Sequence, residues 1–116
     1  MASKKTIYVA HPISGDLEGN QKKVLAICEE IHRQGVIPVA PYLVSLQYFN
    51  DDIQEDRELG IEASLEHFRR GFVDELWLYG DRISKGMWGE IRTAREHNVP
   101  VFAKTPETER DLANES

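Results

Sequence analysis

The sequence contains one cysteine, no long hydrophobic run and no excess of positive charge. Because Cys28 stands alone, an intramolecular disulfide and a zinc site built from cysteines are excluded. No apolar run approaches the roughly 18 residues that cross a membrane. The apolar stretch that follows Lys4 and Lys5 is too short for a signal peptide. We therefore expect a cytoplasmic protein with no membrane partner.

The net charge of −6 makes a nucleic-acid polymer an unfavourable partner, because its phosphate backbone would be repelled. A small anion such as a nucleotide can still bind where backbone N–H groups converge. The 116 residues, 41% hydrophobic and 29% charged, are typical of one globular domain with a single core. We place this domain at residues 1–104 and a charged tail at residues 105–116. The tail either begins a short helix at Thr105 or stays loose.

Four apolar runs alternate with helical patterns along the chain. The alternation predicts an α/β protein: a single doubly wound (flavodoxin-like) domain with a four- to five-stranded parallel sheet and helices on both faces. Pro38 lies inside the second apolar run and predicts that this strand is at an edge. The predicted strands cover residues 5–10, 36–40, 72–79 and 98–102, and the predicted helices cover about residues 17–34, 57–70 and 87–97.

The segment between the second strand and the second helix is ambiguous. Residues 43–56 fit a short helix followed by an acidic loop. That acidic loop lacks the glycine and the terminal glutamate of a calcium loop, so we expect no metal there. In the helix that follows, we expect Leu59 and Ala63, with either Ile61 or Leu65, to face the core.

Two loops follow strands at the edge of the sheet where doubly wound folds bind ligands. Ser14 and Gly15 in the first loop can form a nest of backbone N–H groups, and the second loop places Ser84 and Gly86 before a helix. Glu90 falls in the first turn of that predicted helix, where it either complements the helix dipole or acts as a nucleophile. Similar alternatives stay open for His11, as a structural or a catalytic histidine, and for Tyr8, as a core or a site residue.

Residues 7–15 read I-Y-V-A-H-P-I-S-G, and residues 84–94 read S-K-G-M-W-G-E-I-R-T-A. Together with the order of elements over about residues 5–103, these motifs resemble the nucleoside 2-deoxyribosyltransferase superfamily, which includes the 2′-deoxynucleoside 5′-phosphate N-hydrolases. The resemblance implies hydrolysis of the N-glycosidic bond of a nucleoside 5′-monophosphate, with a deoxy sugar favoured. The products would be a free base and a sugar phosphate.

The resemblance also implies roles for individual residues. Glu90 matches the family's nucleophile, and Tyr8 matches the tyrosine beside it. Ser84 matches a serine that contacts the 5′-phosphate in the nucleotide hydrolases, where the deoxyribosyltransferases tend to have Asp. Because backbone and hydroxyl donors would hold the phosphate, no metal or other cofactor is implied. The implied substrate-binding residues are His11, Pro12, Ile13, Ser14, Gly15, Ser84, Gly86 and Met87.

The chain departs from the family pattern at three places. His11 replaces a small residue, and the first loop lacks the basic residue that some hydrolases carry there. The family's active-site Asp has no clean counterpart, and we take Glu66, or alternatively Glu62, as the candidate general acid. These departures keep two alternatives open: base exchange by a deoxyribosyltransferase, and a non-catalytic nucleotide-binding or sensing module. The resemblance further implies a homodimer or a higher homo-oligomer.

Overall fold

Strand β1 (Thr6–Ala10) lies in the interior of the sheet, and its residues 7–10 have no exposed surface in the computed structural model, which describes residues 4–115. Strands β2 (Ile37–Val39) and β3 (Glu75–Leu78) both pair with β1 in parallel, and β4 (Val101–Ala103) pairs with β3. The order β2-β1-β3-β4 confirms the doubly wound, flavodoxin-like fold. The chain changes direction across the sheet between β1 and β3, which makes their carboxyl ends the switch point.

Helices cover both faces of the sheet, as predicted. Ile7 and Val9 pack against α1, whereas Tyr8 packs with α3 and α4 on the opposite face, because successive strand residues alternate between faces. No helix within residues 4–115 is both long and apolar enough to span a bilayer. The helices are α1 (Leu17–Arg33), α2 (Tyr42–Tyr48), α3 (Gln54–Arg69), α4 (Lys85–Glu96) and α5 (Pro106–Ala113).

Two local expectations are confirmed and one boundary moves. Strand β2, which contains Pro38, pairs only with β1 and is therefore an edge strand. The ambiguous segment forms the short helix α2 and a loop, and α3 begins at Gln54 rather than at the predicted Arg57. The tail forms α5, which Thr105 caps by accepting a hydrogen bond from the Thr108 backbone at 3.2 Å. Thr108 has no exposed surface, so α5 is packed onto the domain.

The prediction of which residues of α3 face the core is wrong, because the buried positions lie one residue later along the helix. Gly60, Ser64 and Phe68 are the buried residues of this helix, whereas Leu59 is 51% exposed and Ala63 is also exposed. Apolar residues occupy more than one side of α3, so the hydrophobic pattern by itself does not determine which side is buried.

Two contacts determine the phase of α3. The Phe68 ring stacks on Tyr8 with 4.7 Å between ring centroids, and Gly60 lets the helix approach Ser45, whose Oγ would lie 3.2 Å from a Cβ at position 60. Of the two open alternatives, Leu65 packs against the core and Ile61 is exposed. The helix therefore presents a serine to the interior where leucine and alanine were expected.

The loops after β1 and β3 touch each other at Gly80. Its φ of +98° is a conformation that favours glycine, and a Cβ there would lie 2.5 Å from Pro12 Cδ and 3.4 Å from His11 Nε2. Gly80 therefore permits the two loops of the switch point to meet.

We predict that Gly80→Ala lowers the free energy of unfolding by about 2–4 kcal/mol, from backbone strain plus overpacking against Pro12. Urea unfolding monitored by circular dichroism measures this change. Gly89→Ala is the matched control, because a Cβ at that helical position meets nothing within 4 Å. Alanine there should raise stability by up to about 1 kcal/mol, so equal losses in both variants would contradict the argument.

Candidate active site

Glu90 lies in the second turn of α4, because the helix begins at Lys85 rather than at the predicted Met87. A helix dipole acts mainly within the first turn, so the structure weakens the interpretation of Glu90 as a dipole partner. The side chain is half-buried on the face of the sheet that carries Tyr8. Its position is therefore compatible with a chemical role.

Burial dominates the electrostatics around Glu90. Desolvation raises the pKa of its carboxyl group from 4.5 to about 7, and the nearby Tyr8 hydroxyl, which can donate toward the carboxylate, offsets part of this rise. Burial also raises the pKa of Tyr8 well above its usual value, and the negative charge of Glu90 raises it further. The same two causes act on the pKa of Tyr42. One carboxyl group and two phenols thus share a region in which burial disfavours their charged forms.

Two members of this cluster were missed by the sequence analysis. The Tyr42 hydroxyl donates to the Val9 carbonyl oxygen at 2.5 Å, and its ring lies 6.2 Å from the Tyr8 ring. The Ser64 hydroxyl is buried beside the Tyr8 hydroxyl, and within residues 4–115 neither of these two has a partner within ordinary hydrogen-bond geometry. Tyr42 was missed because it lies between the predicted second strand and the ambiguous segment, and Ser64 because the phase of α3 was assigned wrongly.

Ser84 begins α4 as its N-cap. Its Oγ accepts a hydrogen bond from the Met87 backbone N–H at 3.2 Å, and its own backbone N–H points to the Met87 sulfur at 3.4 Å. The hydroxyl proton of Ser84 is still available as a donor. Met87 itself is 1% exposed and belongs to the core, so its side chain packs the domain, while Gly86 is exposed at the start of the helix.

His11 and Pro12 are buried, whereas Ser14 and Gly15 are exposed and Ile13 is half-buried. The Nδ1 atom of His11 lies 2.6 Å from the Pro12 carbonyl oxygen, and burial lowers the pKa of the imidazole. A neutral imidazole that donates from Nδ1 leaves Nε2 as an acceptor.

The first loop borders a cleft of about 540 Å³ at the carboxyl ends of β1 and β3. His11, Ser14 and Gly15 line it together with two cationic and three acidic residues: Lys23, Arg82, Asp16, Asp81 and Glu107. Neither Glu90 nor Ser84 is among the residues that line this cleft. The structure therefore groups the predicted residues of the first loop with each other and leaves Glu90 with Tyr8 on the far side of β1.

Arg57 was also missed by the sequence analysis. Its guanidinium donates to Ser14 Oγ at 3.2 Å and pairs with Asp51 at 3.4 Å. Helix α3 thus brings a cation to the loop that lacks a basic residue of its own. No local sequence signal connects Arg57 to Ser14, since 43 residues separate them along the chain.

Glu66 does not have the properties expected of a general acid. It pairs with Arg69 at 3.1 Å and with Arg70 at 3.2 Å near the end of α3. Hydrogen bonds from these two arginines lower the pKa of Glu66, whereas a general acid needs a raised pKa. Glu62 is exposed on the same helix and lies 3.8 Å from Arg69. The prediction for Glu66 therefore loses its physical basis, because two arginines stabilise the charged form.

A four-stranded parallel sheet with polar loops at its switch point and a desolvated carboxyl group beside a buried tyrosine defines a flavodoxin-like α/β domain with a candidate active site. Residues 5–104 match the family described as a domain of unknown function, DUF7768, and the chain belongs to that family. A comparison with curated proteins found no match.

We predict that Glu90→Gln stabilises the protein at high pH only. Glutamine mimics the protonated acid, whereas the wild-type carboxyl group has its pKa raised from 4.5 to about 7 by folding. The wild type therefore loses stability relative to the variant as pH rises through this window, by up to about 3 kcal/mol in total. Urea unfolding should show a gap that grows by about 2 kcal/mol between about pH 5 and pH 8.

The exposed Glu96 provides the control. Its replacement by glutamine removes a carboxyl group at the surface and should leave only a small difference in stability. A gap between Glu90→Gln and the wild type that is independent of pH would show that Glu90 ionises as freely in the folded chain as in the unfolded one.

Proposed function

We propose that this chain hydrolyses the N-glycosidic bond of a 2′-deoxynucleoside 5′-monophosphate through Glu90, releasing the free base and the sugar phosphate. The observation that carries the proposal is the desolvated Glu90 carboxyl group, with its pKa raised to about 7, beside the fully buried Tyr8. Strongly shifted acids of this kind cluster at functional sites. The resemblance of residues 7–15 and 84–94 to nucleotide N-hydrolases supports the same chemistry.

In the proposed first step, a carboxylate oxygen of Glu90 attacks C1′ of the sugar. The C1′–N bond breaks, and its electron pair leaves with the base, which takes a proton from water. Water then attacks C1′ of the glycosyl ester, loses a proton to solvent and restores the Glu90 carboxylate. A carboxylate whose pKa lies near 7 is a better nucleophile than an ordinary one, and Tyr8 orients it by donating a hydrogen bond.

The phosphate end of the substrate is assigned to the two loops of the switch point. Ser14 and Gly15 offer donors in the first loop, and Ser84 and Gly86 offer donors at the start of α4. Arg57 adds a positive charge 3.2 Å from Ser14 Oγ. A monophosphate would gain from this cation, whereas an unphosphorylated nucleoside would not.

One observation favours a second candidate function. Beside Glu90, the described residues place phenols and a serine but no second carboxylic acid, and Glu66 is held in ion pairs. A non-catalytic module that binds nucleotides would need no acid to protonate a leaving base. We place either activity in the cytoplasm, where Cys28 stays reduced, and we infer a homo-oligomer on the basis of the resemblance.

We expect base release from deoxynucleoside monophosphates when the protein is incubated with a panel of nucleotides and nucleosides and the products are separated by chromatography. Glu90→Gln should lower kcat/KM at least about 100-fold and Tyr8→Phe about 10-fold. The wild-type kcat/KM should rise with pH, with its midpoint at about 7, because only ionised Glu90 attacks.

Glu66→Gln is the matched control, and it should keep the wild-type rate. If the Glu90→Gln variant still releases base, Glu90 is not the nucleophile. Tight binding of monophosphates by both proteins, with no free base from either, would establish the binding module instead.

We further expect Arg57→Gln to raise KM for a monophosphate about 10-fold and to leave KM for the matching nucleoside unchanged, since only the phosphate meets the guanidinium. Steady-state kinetics with both substrates measures this. Arg33→Gln removes an arginine that pairs with Glu29 at 2.9 Å far along α1, and it should change neither constant. An equal loss for nucleoside and nucleotide would count against a phosphate contact.

A further inference from the structure

Two buried hydroxyl groups in the candidate active site lack hydrogen-bond partners among the described residues. Tyr8 has no exposed surface, Ser64 is 4% exposed, and the oxygen atoms of both side chains are inaccessible to water. Leaving a buried hydroxyl unpaired costs about 1–3 kcal/mol, so most buried hydroxyl groups have a partner. Tyr8 interacts with Glu90 and Ser64 lies beside Tyr8, so the two hydroxyl groups are placed to act on the Glu90 carboxyl group.

The hydroxyl group of Ser64 donates no hydrogen bond to any described residue, although its position inside α3 offers a backbone acceptor one turn earlier. A serine inside a helix commonly donates to the carbonyl oxygen four residues earlier, which here belongs to Gly60. The structure has no such bond, and the Ser64 oxygen remains unpaired. One turn later, Phe68 stacks on the Tyr8 ring with 4.7 Å between centroids and holds it on this face of the sheet.

The chemistry of the three groups determines the direction of any hydrogen bonds between them. An ionised carboxylate only accepts, so Tyr8 must be the donor toward Glu90. The Tyr8 oxygen can then accept from Ser64, whose hydroxyl lies beside it. A donor that points at the Tyr8 oxygen turns the phenol proton toward the carboxylate.

We propose that Ser64 is a positioning residue, whose hydroxyl donates to the Tyr8 oxygen and thereby keeps the Tyr8 proton directed toward the Glu90 carboxylate. The proposal rests on the proposed role of Glu90 as the nucleophile. Consecutive hydrogen bonds strengthen one another, so the loss of the Ser64 donor weakens the bond from Tyr8 to Glu90. Since that bond stabilises the carboxylate, its weakening raises the pKa of Glu90.

The other groups that face Glu90 do not confound the pKa shift expected from Ser64→Ala. Among the described residues, Tyr8 from β1 and Tyr42 from α2 are the titratable groups that interact with it. Burial raises the pKa of both phenols, so they stay neutral over the range in which Glu90 titrates. Helix α3 contributes the uncharged Ser64. A shift caused by Ser64→Ala therefore reports on the hydrogen-bond chain.

The experiment is a carboxyl titration by ¹³C NMR on protein labelled at glutamate, with the Glu90 signal identified by its disappearance in Glu90→Gln. We expect Ser64→Ala to raise the pKa of Glu90 by about 0.5 unit, a threefold change in the ionisation constant. Tyr8→Phe should raise it by about one unit. In a Tyr8→Phe background, Ser64→Ala should add no further shift.

Ser64→Ala should fold, because it removes an unpartnered buried hydroxyl rather than a satisfied one. An unchanged pKa of Glu90 in Ser64→Ala would overturn the proposal, as would an equal shift with and without the Tyr8 hydroxyl, which would mean an effect of packing. In the proposed reaction, the midpoint of the kcat/KM profile should move with the NMR pKa. A wild type that releases no base would defeat the proposed function alone, since the titration reads Glu90 without turnover.

Discussion

The candidate active site depends on one constraint: a carboxyl group is held against the buried centre of a parallel sheet. Strand β1 is covered on both faces, so Tyr8 has no access to water, and α4 places Glu90 above it. The lost hydration of the carboxylate is offset only in part by the Tyr8 hydroxyl, which is why the pKa of Glu90 rises to about 7. Acids whose pKa values are shifted in this way are found more often at functional sites than elsewhere.

The polar groups of the switch point are divided between the two faces of the sheet. Tyr8 points to the side of α3 and α4, whereas His11 lines the cleft near α1 together with Lys23 and Arg82. Ser14 connects the two sides, because it lines the cleft and also accepts a hydrogen bond from Arg57 of α3.

Local patterns were sufficient for most of the fold. The alternation of apolar runs and helical segments predicted the parallel sheet, Pro38 predicted an edge strand, and the two loops of the switch point were placed correctly. The phase of α3 was predicted wrongly because Leu59 and Ile61 are exposed, and packing against Tyr8 and Ser45 outweighed their hydrophobicity. The prediction of Glu66 as a general acid stays a prediction, and the arginines at the end of α3, which lower its pKa, argue against it.

By itself, the sequence determined the class of fold and the segments that reach the carboxyl edge of the sheet, because periodicity and turn residues act over a few neighbours. Only the tertiary structure decided which side chains meet there. Ser64 and Tyr8 lie 56 positions apart, and Arg57 and Ser14 lie 43 apart. Desolvation and hydrogen bonding depend on distances in space, and no local pattern encodes them until the helices have packed onto the sheet.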